Sequence, residues 1–402
     1  MKAVGIVVEY NPFHNGHYYH VTQSKKITNA DVVIAVMSGP FLQRGEPALV
    51  SKWHRAKMAL KSGVDIVVEL PYVFSTANAP LFAEGAIFLL GALQCEAFSF
   101  GSEDGKLEPF LNTADLIETH FDEYNELIKK FVSTGISYPQ SLFYAYEQLK
   151  QKNNRVYLDL SKPNNILGYH YIVAAKKFDL PVQPVTIQRI QANYHDSINE
   201  RSTIASATGI RKEIFQKGTV EIVRPYVPDA TFQELTEWRH QYSRFVDWEA
   251  FWPLLKYAIM RHRPEHLTAF ADVSEGIEYA LIKHAKQSDT FTQLMSAIKS
   301  KRYTWTRLQR MLTHIYTGIT KEELHQSKTP TYIRLLGMTK KGQAYLSERK
   351  KNLELPLISR VAQAKDPMLQ IDIRASEMYA LGVEHFSNKK IDGDYKLPPI
   401  RL

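Results

Sequence analysis

Near its N-terminus the chain runs Ala3-Val4-Gly5-Ile6-Val7-Val8-Glu9-Tyr10-Asn11-Pro12-Phe13-His14-Asn15-Gly16-His17. Residues 3–10 have the near-continuous apolar, β-branched character of a strand buried on both faces. Pro12 fixes the chain as it leaves that strand, and Gly16 permits close backbone approach to a ligand where a helix is predicted over 16–26. A strand handing over directly to a helix puts the intervening residues at the carboxyl edge of a parallel sheet, the edge at which open α/β folds bind ligands. His14 and His17 are three apart and can face one ligand. Imidazoles beside a helix N-terminus can donate hydrogen bonds to phosphate oxygens, stabilising charge on a pentavalent phosphorus and on departing pyrophosphate. A lone His-x-x-His is better explained as a metal-ligand pair or two surface histidines; here the His-x-Gly-His spacing, its place after a strand and the sheet pattern that follows favour nucleotide handling. No Gly-x-Gly-x-x-Gly follows the strand, and no Walker Gly-Lys-Ser/Thr occurs.

Outward from this point the pattern repeats. Strands are predicted over 31–38, 64–70 and 97–101, with helices over 51–62 and 79–93 between them, which is the alternation of a parallel sheet covered on both faces. Residues 106–152 follow the helical period and form an insertion. The α/β pattern resumes with a helix over 166–178, a strand over 182–190 and a helix over 204–216. Past Gly218 strand signals nearly vanish, and 232–239, 248–261, 274–286 and 304–317 read as helices. A boundary is expected at Arg224-Pro225-Tyr226-Val227-Pro228, giving an α/β domain over 1–222 and a mostly α-helical basic domain over 223–402.

The 402 residues, 44% hydrophobic and 23% charged, can bury two or three cores of ordinary size and exclude disorder, collagen and coiled coil. The longest apolar run, over 86–93, falls far short of the roughly 18–20 residues that cross a bilayer. The N-terminus lacks a signal layout, so a cytoplasmic protein is expected. The single cysteine, Cys95, closes no intramolecular disulfide and builds no zinc site alone, so no structural metal is expected. Net charge is +8, unevenly spread: residues 1–200 hold 18 basic and 20 acidic side chains, residues 201–402 hold 32 and 22, and 301–350 alone hold 11 and 3. Chemistry in the first half and a polyanion surface in the second is one reading; a solvated, lysine-rich helix face is the other.

Asn11-Pro12-Phe13-His14-Asn15-Gly16-His17 resembles the His-x-Gly-His signature of the nucleotidyltransferase superfamily. Ile204-Ala205-Ser206-Ala207-Thr208-Gly209-Ile210-Arg211 resembles its Ile-Ser-Ser-Thr-x-x-Arg helix start, departing from it at Ala205 and Ala207. Longer stretches narrow the likeness: Val36-Met37-Ser38-Gly39-Pro40-Phe41-Leu42-Gln43-Arg44-Gly45-Glu46-Pro47, Phe98-Ser99-Phe100-Gly101-Ser102-Glu103, Pro163-Asn164-Asn165-Ile166-Leu167-Gly168, Arg189-Ile190, Tyr194-His195-Asp196 and Ala375-Ser376-Glu377-Met378-Tyr379-Ala380. In order along nearly the whole chain, they resemble the bacterial tRNA(Met) cytidine acetate ligase family.

The resemblance implies a Rossmann-like nucleotidyltransferase domain and a two-step reaction. Acetate attacks the α-phosphorus of ATP, with Mg²⁺ expected to accompany the nucleotide, and the acetyl-adenylate then acetylates N4 of the wobble cytidine of elongator tRNA(Met). It implies His14 and His17 as the catalytic pair. ATP contacts are implied for Val7, Asn11, Pro12, Phe13, Asn15, Gly16, Gly101, Asn164, Arg189, Ser206, Thr208 and Arg211. Ser38, Gly39, His195 and Asp196 are expected to border the substrate pocket. Glu9 and Asp65 are explained equally well by capping or pairing, so no base is assigned to them.

In the basic half, Lys299-Ser300-Lys301-Arg302-Tyr303-Thr304-Trp305-Thr306-Arg307-Leu308-Gln309-Arg310 interleaves cations with aromatics. Lys299, Lys301, Arg302, Arg307 and Arg310 can neutralise phosphates, with Arg334, Lys340 and Lys341 extending the positive surface. Tyr303 or Trp305 can stack on an unpaired base, although helical spacing slightly favours Trp305 in the core. Two other readings stay open: a small-molecule nucleotidyltransferase or acetate:protein ligase, and an RNA-binding protein on the same fold without catalysis.

Overall fold

The computed structural model describes residues 1–152, 154–190, 203–326 and 328–402. Five parallel strands, β1 (Ala3–Val8), β2 (Val32–Ser38), β3 (Ile66–Leu70), β4 (Ala97–Ser102) and β5 (Gln183–Gln188), form one side of a larger sheet, with β5 at its edge. Their spatial order is β5-β4-β1-β2-β3, so the direction of winding reverses between β1 and β4. That reversal opens a crevice at the carboxyl ends of those two strands.

Every residue of β2 and β3 is buried, as strands between two helical layers are, and the one charge among them, Glu69, is paired. Helices α1 (Asn15–Thr28), α2 (Lys52–Lys61) and α3 (Ala79–Ala92) make the crossovers. A Cβ on Gly5 would collide with the Leu90 side chain, so α3 packs directly on the backbone of β1. The expected insertion is the trio α4 (Glu108–Thr119), α5 (Phe121–Ser133) and α6 (Tyr138–Lys150), with a small core of its own around Leu116, Ile117, Tyr146 and Leu149. Helices α7 (Pro163–Lys177) and α8 (Ala207–Lys217) flank β5 in sequence.

The second half supplies α9 (Asp229–Tyr242), α10 (Trp248–Met260), α11 (Ile277–Gln287), α12 (Phe291–Ile298), α13 (Trp305–Thr317), α14 (Lys340–Arg349) and α15 (Pro367–Ser387). It also returns to the sheet. Strand β6 (Ile333–Met338) pairs antiparallel with β3, and the two-residue strands β7 (Leu357–Ile358) and β8 (Ile400–Arg401) pair with β6. The sequence pattern misses β6 because one short, mainly apolar hexapeptide is indistinguishable by period from a buried helical segment, and β7 and β8, at two residues each, are too short to show a period. The expected 222/223 boundary falls inside the 3₁₀ turn Glu221–Tyr226, and one apolar cluster runs from Ala3 to Val383 across it. No helix among the described residues is long and apolar enough to cross a membrane.

An ion cluster fastens the two halves. Lys52, at the start of α2, donates to Glu69 Oε1 and Oε2 (2.8 and 2.7 Å), to Asp394 Oδ2 (2.9 Å) and to Ser376 Oγ (3.0 Å). Arg334 adds its charge 3.7 Å from Asp394 Oδ1 and donates to the Ser359 carbonyl at 3.0 Å. Arg334 was expected on the RNA-facing surface; it is 1% exposed and belongs to this cluster instead. Its charge is used inside the protein because β6 presents it to the buried Asp394.

Candidate active site

After β1 the chain turns sharply. Tyr10 takes a positive φ of 49°, and the Asn11-Pro12 peptide is cis. Tyr10 and Phe13 are buried against each other, with ring centroids 4.6 Å apart. His14 then caps α1 from the position before Asn15. Its backbone N–H donates to His17 Nδ1 at 3.2 Å, and the two imidazoles stack with centroids 3.6 Å apart and planes 23° apart. Accepting at Nδ1 leaves the neutral His17 ring its proton on Nε2. Burial, then the nearby Arg189 and Arg211 charges, hold His14 down to about 3. Burial and the neighbouring His14, His20 and Arg189 hold His17 well below its ordinary value. At neutral pH both rings are uncharged, and an arriving anion would favour their protonated forms.

Gly16 was expected to let a ligand approach the backbone. In the structure its bare backbone also serves a neighbouring side chain. A Cβ there would lie 2.9 Å from His14 Cε1 and 3.0 Å from its Nδ1, so the missing side chain makes room for the His14 ring. The flanking asparagines brace the site. Asn11 Oδ1 accepts from the Leu49 N–H at 2.7 Å, and Asn15 Nδ2 donates to the carbonyls of Thr203 (2.8 Å) and Pro225 (2.9 Å). Pro12 is buried with Phe13, and Val7 is half-buried against the apolar core.

The Asn15 bonds draw the start of α8 to the start of α1. Ser206 Oγ caps α8 by accepting from the Gly209 N–H at 3.1 Å, with Thr208 half-buried in the first turn. Arg211 reaches back from α8: Nη1 donates to the Asn11 carbonyl at 2.9 Å, and Nη2 pairs with Glu46 Oε2 at 3.0 Å. Two helix N-termini and an arginine therefore converge beside the histidine pair, an arrangement suited to a polyanion.

On the β4–β5 side, a Cβ on Gly101 would lie 3.1 Å from Arg189 Cγ, so the arginine stem lies along the bare strand. Arg189 Nη1 donates to Asn164 Oδ1 at 2.9 Å, and Asn164 Nδ2 donates to Glu103 Oε1 at 3.1 Å. His20, one turn beyond His17, carries no role in the sequence reading although its spacing continues the 14, 17 series. Its Nε2 lies 3.5 Å from Ser99 Oγ, and burial with the Arg189 charge lowers it to about 4. At the end of β2, the Ser38 and Gly39 carbonyls accept from Arg55, and the Glu69 carboxylate fills the space above Gly39. Glu9 accepts from the Gln43 N–H at 2.7 Å and Asp65 from the Val33 N–H at 3.0 Å, so pairing accounts for both. His195 and Asp196 lie outside the described residues. Among the described residues, no group of three His, Cys, Asp or Glu is gathered to hold a metal ion.

The basic segment divides. Lys299 and Lys301 are exposed, Arg302 is exposed and paired with Glu275 at 3.0 Å, and Arg307 lies over the Tyr303 ring while pairing with Asp272 at 3.1 Å. Arg310 is half-buried. The aromatic assignment reverses: Tyr303 is 5% exposed with its hydroxyl donating to the Ser274 carbonyl, while Trp305 is 38% exposed. Trp305 is the first residue of α13, outside the span where the helical period dictates burial. Lys340 and Lys341 are exposed at the start of α14. They follow β6, whose last residue Met338 pairs with Ile66 at the amino end of β3, so they stand at the sheet edge opposite the histidines.

A HIGH nucleotidyl transferase family profile matches residues 1–394. The tRNA(Met) cytidine acetate ligase of Lysinibacillus sphaericus (strain C3-41) is 60% identical over the whole of both chains. That of Bacillus subtilis (strain 168) is 45% identical over all of this chain and 97% of its own. Among solved structures, Thermotoga maritima TmcAL bound with alpha-thio ATP superposes with a TM-score of 0.90 at 32% identity, and its apo form with 0.91 at 33%, each over 100% of both chains. The histidine pair, the convergent helix starts and this full-length likeness agree, and the chain belongs to the tRNA(Met) cytidine acetate ligase family of HIGH nucleotidyl transferases.

Proposed function

We propose that the chain joins acetate to tRNA(Met) at the expense of ATP, with His14, His17, Arg189 and Arg211 holding the nucleotide. The observation that carries this reading is the neutral, stacked imidazole pair at the head of α1, flanked by two arginines and facing the start of a second helix. An acetate oxygen attacks the α-phosphorus, the bond to the bridging oxygen of the β-phosphate breaks, and pyrophosphate leaves. The cytidine N4 then attacks the acetyl carbonyl, AMP departs with the bridging oxygen, and N4 loses a proton.

The chemistry needs this sequence of steps. A cytosine exocyclic amine is a poor nucleophile because its lone pair is delocalised into the ring, so the acyl group must arrive as a mixed anhydride. Acetate offers little surface to bind, so much of the rate must come from holding the reactants together. His14 and His17 would donate N–H groups to the α-phosphate as charge builds on it. Arg211, Ser206 and Thr208 would take the outgoing phosphates, and Gly101, Asn164 and Arg189 the nucleoside side. Mg²⁺ would enter with the nucleotide and offset phosphate charge, since among the described residues no cluster of His, Cys, Asp or Glu is gathered to hold it. Ser38 and Gly39 remain proposed for the rim of the acyl pocket. For RNA, Lys299, Lys301, Arg302 and Trp305 form the exposed set, with the target cytidine splayed out to reach the pocket. A tRNA substrate places the reaction in the cytoplasm.

The test supplies isotopically labelled acetate and ATP with elongator tRNA(Met), with bulk tRNA lacking it, or with no RNA. Label in N4-acetylcytidine of tRNA(Met) alone is the expected result. Acetate-independent pyrophosphate release with a metabolite would favour a small-molecule nucleotidyltransferase, and tRNA binding with neither product a non-catalytic RNA-binding protein.

A further inference from the structure

The loop between β2 and α2 does more than connect them. It folds on itself: the Ala48 N–H donates to the Pro40 carbonyl (2.9 Å), the Leu42 N–H to the Glu46 carbonyl (2.9 Å) and the Gly45 N–H to the Leu42 carbonyl (2.8 Å). Its tip is held from the helical half. The Gly45 carbonyl accepts from Trp248 Nε1 at 2.8 Å and from Thr313 Oγ1 at 2.9 Å. Gly45 has φ +75°, and a Cβ there would collide with the Arg310 backbone nitrogen, so the tip sits against the main chain of α13. From the sheet side, the Gln43 N–H donates to Glu9 Oε1 at 2.7 Å. The residue directly after that clamped tip is Glu46, and its Oε2 meets Arg211 Nη2 at 3.0 Å.

We propose that Glu46 is a positioning residue: from a loop clamped onto α13, its carboxylate holds the Arg211 guanidinium beside the histidine pair, ready for the triphosphate. This rests on the reading of Arg211 as a phosphate ligand. A free arginine side chain samples many rotamers, and ordering it on substrate binding costs affinity. Here the Asn11 carbonyl takes one N–H and Glu46 another, both on the protein side, and the planar fork keeps further N–H groups for phosphate oxygens. The same loop makes the arginine's placement depend on α13, the helix that starts at the exposed Trp305. The helical half thereby takes part in building the nucleotide site.

The test is a double-mutant cycle on the full-length enzyme, measuring AMP formation with acetate, ATP and tRNA. Glu46→Ala is expected to raise the ATP KM about tenfold while kcat changes less than about threefold. Glu46→Gln, which keeps an amide oxygen for the guanidinium, is expected to recover most of that loss, and its near-identical shape keeps the test open should Glu46→Ala fold poorly. In an Arg211→Ala background neither Glu46 change should add anything, because Glu46 acts only through that arginine. If Arg211→Ala leaves the ATP KM unaltered, the phosphate reading of Arg211 fails and the proposal falls with it. If Arg211→Ala raises the KM but Glu46→Ala does not, or the two effects multiply in the double variant, the proposal is overturned while the reading of Arg211 stands.

Discussion

Replacing His14 with alanine is expected to lower acetate-dependent AMP formation about 10²–10³-fold while leaving the affinity for tRNA within about twofold of the parent. The size follows from removing one preorganised donor at a phosphorus whose charge grows in the transition state. The selectivity follows from position, since His14 caps α1 at the carboxyl edge of β1 while the exposed cations sit around the start of α13. The same variant carries a signature in stability. Buried His14 titrates at about 3 when folded and near 6.5 when unfolded, so between those values the unfolded chain binds the extra proton. The stability gained from its neutral form is present above pH 6.5 and is lost as the pH falls toward 3. Removing the group should make the acid slope of unfolding free energy shallower by about 1.4 kcal/mol per pH unit in that window. Urea titrations at several pH values read this directly. An unchanged slope would mean His14 titrates normally, and an unchanged rate would remove it from the chemistry.

Lys52→Ala is expected to destabilise the protein by about 3–5 kcal/mol. The lysine is buried and faces two buried carboxylates, Glu69 and Asp394, at 2.7 and 2.9 Å. Without it the carboxylates confront each other with Arg334 alone to balance them. Its partners come from β3, from α15 through Ser376 and from the tail at Asp394, so the loss should loosen the attachment of residues 376–394 to the sheet. Chemical denaturation gives the energy, and hydrogen exchange gives the place. A loss under about 1 kcal/mol would show that the cluster contributes no more than an exposed ion pair.

The parallel sheet was legible because each strand is a near-continuous apolar run with a clear helical stretch after it, and all five strands lie within two residues of their expected bounds. The antiparallel return of β6 was not legible, since pairing between residues 66–69 and 334–338 is a tertiary fact with no local trace. The same limit explains Arg334. Its charge reads as surface in the sequence, and only the arrival of Asp394 from 60 residues further along makes burial tolerable. At Gly16 the packing of the His14 ring against the bare backbone was not legible, because the sequence does not tell which neighbour needs the space. Tyr303 precedes α13 and Trp305 opens it, and which ring is buried is decided by tertiary packing, with the Tyr303 hydroxyl held by the Ser274 carbonyl, and not by helical period. His14 and His17 were legible from their spacing after β1 and Arg211 from a family resemblance, and the structure sets the Arg211 charge close enough to His14 to disfavour its protonation. Glu46 lay inside a quoted motif with no role attached, because its partner is 165 residues away.

The most direct measurement follows the oxygen atoms. With acetate labelled in both oxygens by ¹⁸O, attack on the α-phosphorus must leave one labelled oxygen in the AMP released after acetyl transfer to tRNA, and the other in the acetyl group. Mass spectrometry of AMP at single turnover should find one ¹⁸O per AMP and none in pyrophosphate. Unlabelled AMP, or label in the pyrophosphate or orthophosphate, would show that acetate is not activated at the α-phosphorus and would contradict the account of the histidine site.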